Sequence, residues 1–348
     1  MKNTAPVSPL PTLRAVAAQA GVSAMTVSRA LGNRSGIAAA TRERIAGIAA
    51  KLGYRPDPEI ARLMHHVRSR HRPRFQSVIC GLTTRPREIQ EPYTLALIAG
   101  ARRRAEELGH GFMLLHVTLE PNHGMGVHTM LVSRGVQGLL LLPQQEPVDL
   151  SGLLDWRDFA AVAATTSVMA PVINRVTPDH FSNAILLCRE LAARGYRRIG
   201  FVTSREHDLR VKHLFDAALV WHGLRLAGAL LPPLVLPKQT DDDLVAWFRR
   251  ERPDAVVGPN YEELDWIAQT LRREAAGRLA VACTTTTGSQ ARHLSGIDER
   301  PDEVGAVAVE LLAGMVARRF RGLPTSPTST TVSGIWRNGG SCPRRGAG

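Results

Sequence analysis

One run constrains this chain more than any other: TLRAVAAQAGVSAMTVSRAL, residues 12–31. Leu13, Val16, Ala17 and Ala20 recur at i, i+3, i+4 and i+7, so they share one face of a helix. Gly21 follows where a helix that ends in a left-handed turn favours glycine. Ser23 is a good N-cap, and Val27, Ala30 and Leu31 repeat the helical spacing up to Gly32. Ala17 is small where two helices must cross, Gly21 stands at the turn, and Val27 fills the interface. A third helix is expected from Thr41, with Ile45, Ile48, Ala49 and Leu52 on one face and a stop at Gly53. Three short amphipathic helices, the first two joined by a Gly-Val-Ser turn, describe a helix-turn-helix head. Ala24, Met25, Ser28 and Arg29 then face outward on the second helix.

Charge distribution indicates what such a head would hold. The chain has 348 residues and a formal net charge of +13. Residues 1–74 contain 13 basic residues and three acidic ones, so the first fifth carries +10 and the remainder only +3. A strongly cationic head on a near-neutral body points to a polyanionic partner. The N-terminal part of a recognition helix can enter the major groove of DNA, where Arg pairs with guanine and apolar side chains touch thymine methyls.

Downstream the texture changes. Residues 1–11 are polar and proline-rich, an expected disordered arm before the head at 12–55. Pro56, Asp57 and Pro58 open a basic linker, residues 56–75. Strand-like runs follow at 77–83, 111–117, 138–143, 159–164, 198–203, 254–258 and 278–283, with helical stretches at 93–109, 125–134, 179–194, 209–223, 241–250, 261–275 and 302–319. Continuous apolar strands alternating with helices predict parallel sheets covered on both faces. About 260 residues of such units exceed one comfortable core, so two sheets are expected. The predicted fold class is a small all-α helix-turn-helix head plus an α/β core of two doubly wound parallel-sheet subdomains. The core is expected to span 76–335, as 76–177 plus 283–318 and 178–282 plus 319–335, with a disordered tail at 336–348.

Several classes are excluded at this stage. No apolar run approaches the ~18 residues that span a bilayer, and no signal-peptide core is present, so a cytoplasmic location without membrane contact is expected. The cysteines at 80, 188, 283 and 342 have no metal-ligand spacing; three read as core residues and Cys342 as an exposed tail thiol. Asp241, Asp242 and Asp243 open a helix, where acidic residues complement its dipole, so no metal site is assigned. Dinucleotide, P-loop, nucleophile-elbow and zincin motifs are all missing, which predicts a non-enzyme without a cofactor or catalytic residues.

The run at 12–31, with ATRERI and KLGYRP after it, resembles the headpiece of the LacI/GalR family of bacterial transcription regulators. The resemblance continues in PYTLALIAGARRRAEELGHGFMLL (92–115), LVSRGVQGLLLLP (131–143), LAARGYRRIGFVT (191–203) and RPDAVVG (252–258), about 320 residues in all. It implies a homodimeric repressor on a near-palindromic double-stranded operator, with a periplasmic-binding-protein-like core that takes a small-molecule effector between two subdomains. By position, Ala24, Met25 and Arg29 resemble the family's base-reading residues, and Ser23, Thr26, Ser28 and Tyr54 its phosphate contacts. Leu63 stands where the family's hinge leucine wedges into the minor groove, although Ala61-Arg62-Leu63 is one residue short of the usual motif. The extra arginines up to Arg74 are either further phosphate contacts or a solvated linker.

In open α/β sheets, ligands sit beyond the carboxyl ends of the strands. That rule selects Thr83–Arg87, Gln144 and Gln145, Ser204–Arg210, Asn260 and Tyr261, and Thr284–Thr287. The resemblance adds Tyr93, in a loop whose aromatic lines the family's pocket, and Asp298, read either as a pocket group or as a helix cap. The candidate effector residues are therefore Tyr93, Gln144, Asp208, Arg210, Asn260 and Asp298. The family's sugar-binding Arg and Asp are altered at Val211–Phe215 and Asn260-Tyr261, where His207, Asp208 and Arg210 could substitute. A second reading is a cytoplasmic small-molecule binder with a vestigial head; steep salt dependence and operator discrimination separate the two.

Overall fold

The computed structural model describes residues 12–31, 37–54, 77–84, 91–119, 123–144, 146–223, 231–238, 240–275, 279–288 and 290–345. The chain divides into two compact units between Pro73 and Arg74. Leu63, Gln145, the arm and the basic linker lie outside the described residues, as does the side chain of Ser28.

The head comprises α1 (Leu13–Ala20), α2 (Ala24–Leu31) and α3 (Ala39–Lys51). Thr12 caps α1 by accepting from the Ala15 N–H at 3.2 Å, and Gly21 ends it at φ +62°. Val16, Ala17, Ala20, Val27, Ala30, Ile45 and Ala49 form its buried core, the set the helical spacing selected. Helix α3 begins two residues earlier than expected, without a side-chain cap.

The core contains two six-stranded sheets. The first has the order β13-β7-β5-β3-β1-β2, from β1 (Val78–Thr83), β2 (Gly111–His116), β3 (Val136–Leu141), β5 (Ala160–Ala163), β7 (Asn174–Pro178) and β13 (Ser329–Val332). All its pairings are parallel. The second has the order β14-β12-β11-β10-β8-β9, from β8 (Ile199–Ser204), β9 (Leu234–Leu236), β10 (Ala255–Gly258), β11 (Ala280–Cys283), β12 (Ser295–Asp298) and β14 (Ile335–Arg337). It is parallel except for the β12/β14 pair. A small two-stranded sheet joins β4 (Val148–Asp149) to β6 (Val168–Ala170).

Helices cover the first sheet with α4 (Pro92–Glu107), α5 (His123–Ser133) and α11 (Pro301–Ala317), and the second with α6 (His180–Ala193), α8 (Leu214–Gly223), α9 (Asp241–Glu251) and α10 (Tyr261–Leu271). The short α7 (Arg205–Arg210) follows β8. Helices α4 and α11 meet backbone to backbone. A β carbon on Gly100 would lie 2.0 Å from the Asp302 carbonyl oxygen, and one on Gly305 would lie 2.2 Å from that of Leu97. Only glycine fits at these two crossings.

Three segments cross between the subdomains: β7 to α6, β12 to α11, and β13 to β14. This arrangement corrects the expected boundaries. Residues 295–298 pair within the second sheet, not the first, and 329–332 pair within the first, not the second. Strands β7, β9, β12, β13 and β14 were not expected, being short or polar, and they draw their stability from ladder bonds in the finished sheets. The expected helix at 209–223 is two helices, because Lys212 and His213 adopt φ of +56° and +57°. Residues 336–345 of the expected tail are folded: Cys342 is 1% exposed, and the Tyr196 hydroxyl donates to the Pro343 carbonyl at 2.8 Å. Its thiol is not a surface group.

Candidate nucleic-acid interface and ligand cleft

At the start of α2 the Ser23 hydroxyl accepts from the Thr26 N–H at 3.1 Å, and the two hydroxyls lie 2.9 Å apart. Ser23 and Thr26, two of the four residues named as phosphate contacts, thus stand at a helix N-terminus, where N–H groups and the dipole favour an anion. Met25 is 53% exposed although apolar, and Arg29 is exposed on the same helix. Ala24 departs from its expected outward position: it is half-buried against the head's core, because it belongs to the first turn that packs on α1. Tyr54 is half-buried on the same core, and its N–H donates to the Ala49 carbonyl at 2.9 Å. Arg44 and Lys51 add exposed positive charge on α3.

In the core, a cleft of about 700 Å³ opens between the subdomains at the carboxyl ends of the strands. Tyr93, Gln144, Arg210 and Asn260 line it, as the strand-end rule and the resemblance required. Asp208 and Asp298 do not. Asp208 is buried beneath the cleft and bonded to His213 Nδ1 at 2.6 Å, while an Asp298 oxygen accepts from the Arg300 N–H at 2.9 Å. Asp298 thus closes a local turn ahead of α11, whose N-terminus has no side-chain cap.

Gln144 holds its own wall together. Its Oε1 accepts from the Thr84 N–H at 3.0 Å and hydroxyl at 2.5 Å, and its Nε2 donates to the Leu142 carbonyl at 2.6 Å. Asn260 caps α10 by accepting from the Glu263 N–H at 2.8 Å, and its Nδ2 donates to Glu263 Oε1 at 3.2 Å. Burial pushes the Glu263 carboxyl up, against that hydrogen bond and the Arg210 charge. Burial also pushes the Tyr93 phenol well up, helped by Glu299 and opposed by Arg210.

The cleft contains further residues that the sequence reading missed. His180 Nδ1 lies 3.0 Å from Glu299 Oε1; both side chains are buried, on two different crossing segments. Neither β7 nor β12 reads as a strand in the sequence, so the strand-end rule does not reach the residues at their carboxyl ends. His207 lies within Ser204–Arg210, which the strand-end rule selects. Its imidazole is pushed down to about 3, mainly by burial and then by the Arg210 and His180 charges, so it is neutral at pH 7. Its Nδ1 lies 3.1 Å from the Thr203 hydroxyl.

One guanidinium, the imidazoles of His180 and His207, the buried Glu299 and half-buried Glu263 carboxyls and several hydroxyls give this cleft the donors and acceptors for a polar small molecule. Burial pushes the Cys80, Cys188 and Cys283 thiols up to about 12 and Cys342 to about 11, so none is a ready nucleophile. Among the described residues, no group of three His, Cys, Asp or Glu side chains could hold a metal ion. No described helix is long and apolar enough to cross a membrane.

Residues 12–57 match the family model "Bacterial regulatory proteins, lacI family". No curated protein matches the chain. Among solved structures, the lac repressor dimer bound to operator and an anti-inducer is 18% identical, with 96% of this chain and 99% of that one covered and a TM-score of 0.55. The transcriptional regulator CelR in complex with cellobiose is 19% identical, with coverages of 95% and 99% and a TM-score of 0.53. A LacI family regulator from Silicibacter pomeroyi is 20% identical, with coverages of 96% and 100% and a TM-score of 0.51. The chain therefore carries, at residues 12–57, a domain of the lacI family of bacterial regulatory proteins, within a fold shared with these LacI-family structures.

Proposed function

We propose that this protein is a sequence-specific DNA-binding transcriptional regulator, acting as a repressor under the control of a small molecule bound in the core cleft. The observation that carries the reading is the LacI-type head with exposed Met25 and Arg29 on α2, on a core whose cleft gathers polar side chains. Arg29 and Met25 read bases, and Ser23, Thr26, Ser28 and Tyr54 hold phosphates. Leu63 supplies a minor-groove wedge. Arg210, Asn260, Tyr93 and Gln144 face the effector.

The working unit is a homodimer on a near-palindromic site, since two heads one helical turn apart read two half-sites. Exposed apolar side chains on α8, Val220 and Trp221, are candidates for its interface. An effector shifts operator affinity only if it binds the open and closed cleft differently, typically by 1–3 kcal/mol. The protein works with the chromosome in the cytoplasm, as a regulator and not as an enzyme. Selection of genomic fragments on the purified full-length protein tests this: recovery of a site with two-fold symmetry supports it, and recovery of sequence-blind fragments refutes it.

A further inference from the structure

The strand orders set up two contacts across the cleft. The first sheet runs β5-β3-β1 through its middle, and the second runs β8-β10-β11. Strand β1 leads to Pro92, at the first turn of α4, and β11 leads to Gly288. A β carbon built on Gly288 would stand 3.0 Å from the Pro92 Cβ and 3.3 Å from its Cγ. Strand β5 leads to Thr166, and β8 leads through α7 to Arg210. The Thr166 hydroxyl donates to the Arg210 carbonyl at 2.5 Å. On each sheet the two contact points are separated by one intervening strand, β3 or β10, and those strands lead to Gln144 and Asn260. With strands about 4.8 Å apart, the contacts stand roughly 10 Å from each other and flank the middle of the cleft.

Left-handed backbone stands at or close to each contact. Gly288 has φ +104°, and Lys212 and His213, two and three residues after Arg210, have φ of +56° and +57°. Such conformations persist only where the surrounding structure enforces them. Charge acts in the opposite direction, since the Lys212 amine is pushed down by burial and then by Arg175, which projects from β7 of the other subdomain. Like charges therefore face each other on the side where the Thr166 hydroxyl holds.

We infer that the Pro92–Gly288 contact and the Thr166–Arg210 hydrogen bond form a two-point clasp that sets the closed position of the cleft. Gly288 and Thr166 are its positioning residues. Gly288 admits the first contact because it has no side chain, and Thr166 supplies the only proton in the second. Arg210 both faces the cleft and accepts through its carbonyl, so a ligand that moves its side chain also bears on the clasp. The inference concerns the core alone, and its failure leaves the DNA-binding reading untouched.

Hydrogen exchange by mass spectrometry on the full-length protein tests it without knowledge of the ligand. Thr166→Val removes the donor, and Thr166→Ser keeps it. Gly288→Ala adds the obstructing carbon, and Pro92→Gly in the same chain clears the space again. Several-fold faster exchange is expected in segments 164–167, 207–213 and 284–288 for Thr166→Val and Gly288→Ala, with strands β3 and β10 unchanged as the sign of an intact fold. Thr166→Ser and the Gly288→Ala/Pro92→Gly pair are expected to return toward the parent rate. Unchanged exchange in both single variants would overturn the clasp. So would a double variant as fast as Gly288→Ala alone, because the effect would then come from strain at residue 288 and not from contact across the cleft. If Thr166→Val does not fold, the Gly288 pair decides.

Discussion

Gly305→Ala sets two well-known effects against each other with opposite signs. In an isolated helix, replacing an interior glycine by alanine stabilises by about 1 kcal/mol. In α11 the new methyl would lie 2.2 Å from the Leu97 carbonyl oxygen and 3.0 Å from the Ala101 nitrogen, both backbone atoms of α4. Ordinary carbon–oxygen contact begins near 3.3 Å, so the helices must separate by about 1 Å. A gap of that size forfeits roughly a quarter to a half of each dispersion contact it opens. The buried residues at risk include Leu97, Ala101, Val304 and Ala308. Overpacking of this kind costs about 1–3 kcal/mol, occasionally more, and here the obstacle is backbone that cannot swing aside. The gross penalty lies at the upper end of that range, and subtracting the propensity gain leaves a net loss of about 2 kcal/mol. The assay is urea unfolding followed by far-ultraviolet circular dichroism, with the head removed from consideration by comparing midpoints against the parent chain at equal slope. A midpoint equal to or above that of the parent would refute the account of α4 and α11 packing.

Further outcomes follow from the same reasoning. Arg29→Ala is expected to cost about 1–3 kcal/mol on the selected operator and to relax specificity at one base position; equal losses on operator and random DNA would contradict it. Trp221→Glu places a charge on the exposed face of α8 and is expected to lower the dimer fraction in analytical ultracentrifugation, with the monomer still folded. His207 gives a pH signature. Its folded value is pushed down to about 3, whereas an unfolded histidine titrates near 6.5, so the unfolded chain binds the extra proton between these values and stability falls as pH drops below about 6.5. Between pH 7 and 5 that contribution amounts to about 2 kcal/mol, and His207→Gln is expected to flatten the corresponding part of the stability profile.

The parts of the fold that were legible were those whose own residues state their geometry. The head was readable because Ala17, Gly21 and Val27 meet steric demands within 11 residues of each other. The central strands were readable because strands buried on both faces are continuously apolar. Strands β12 and β13 were not, since SGID and STTV have too few apolar side chains and form only when a sheet edge is already present. That omission carried over to the cleft, where His180 and Glu299 follow the unrecognised strands β7 and β12. The break between α7 and α8 was hidden for a different reason: two consecutive left-handed residues at Lys212 and His213 have no sequence signature. Asp208 and Arg210 lie two residues apart, so helical rotation sends one beneath the cleft and the other into it. Proximity in sequence does not separate them.

The central claim is that the head reads sequence and the chain is a regulator. It is tested most directly by titrating full-length protein against its best selected genomic site and a scrambled duplex of equal length, each at two salt concentrations. The account predicts a specificity ratio of at least about 10³, with affinity for both duplexes falling steeply as salt rises. Equal affinity for the two duplexes at both salt concentrations would contradict it.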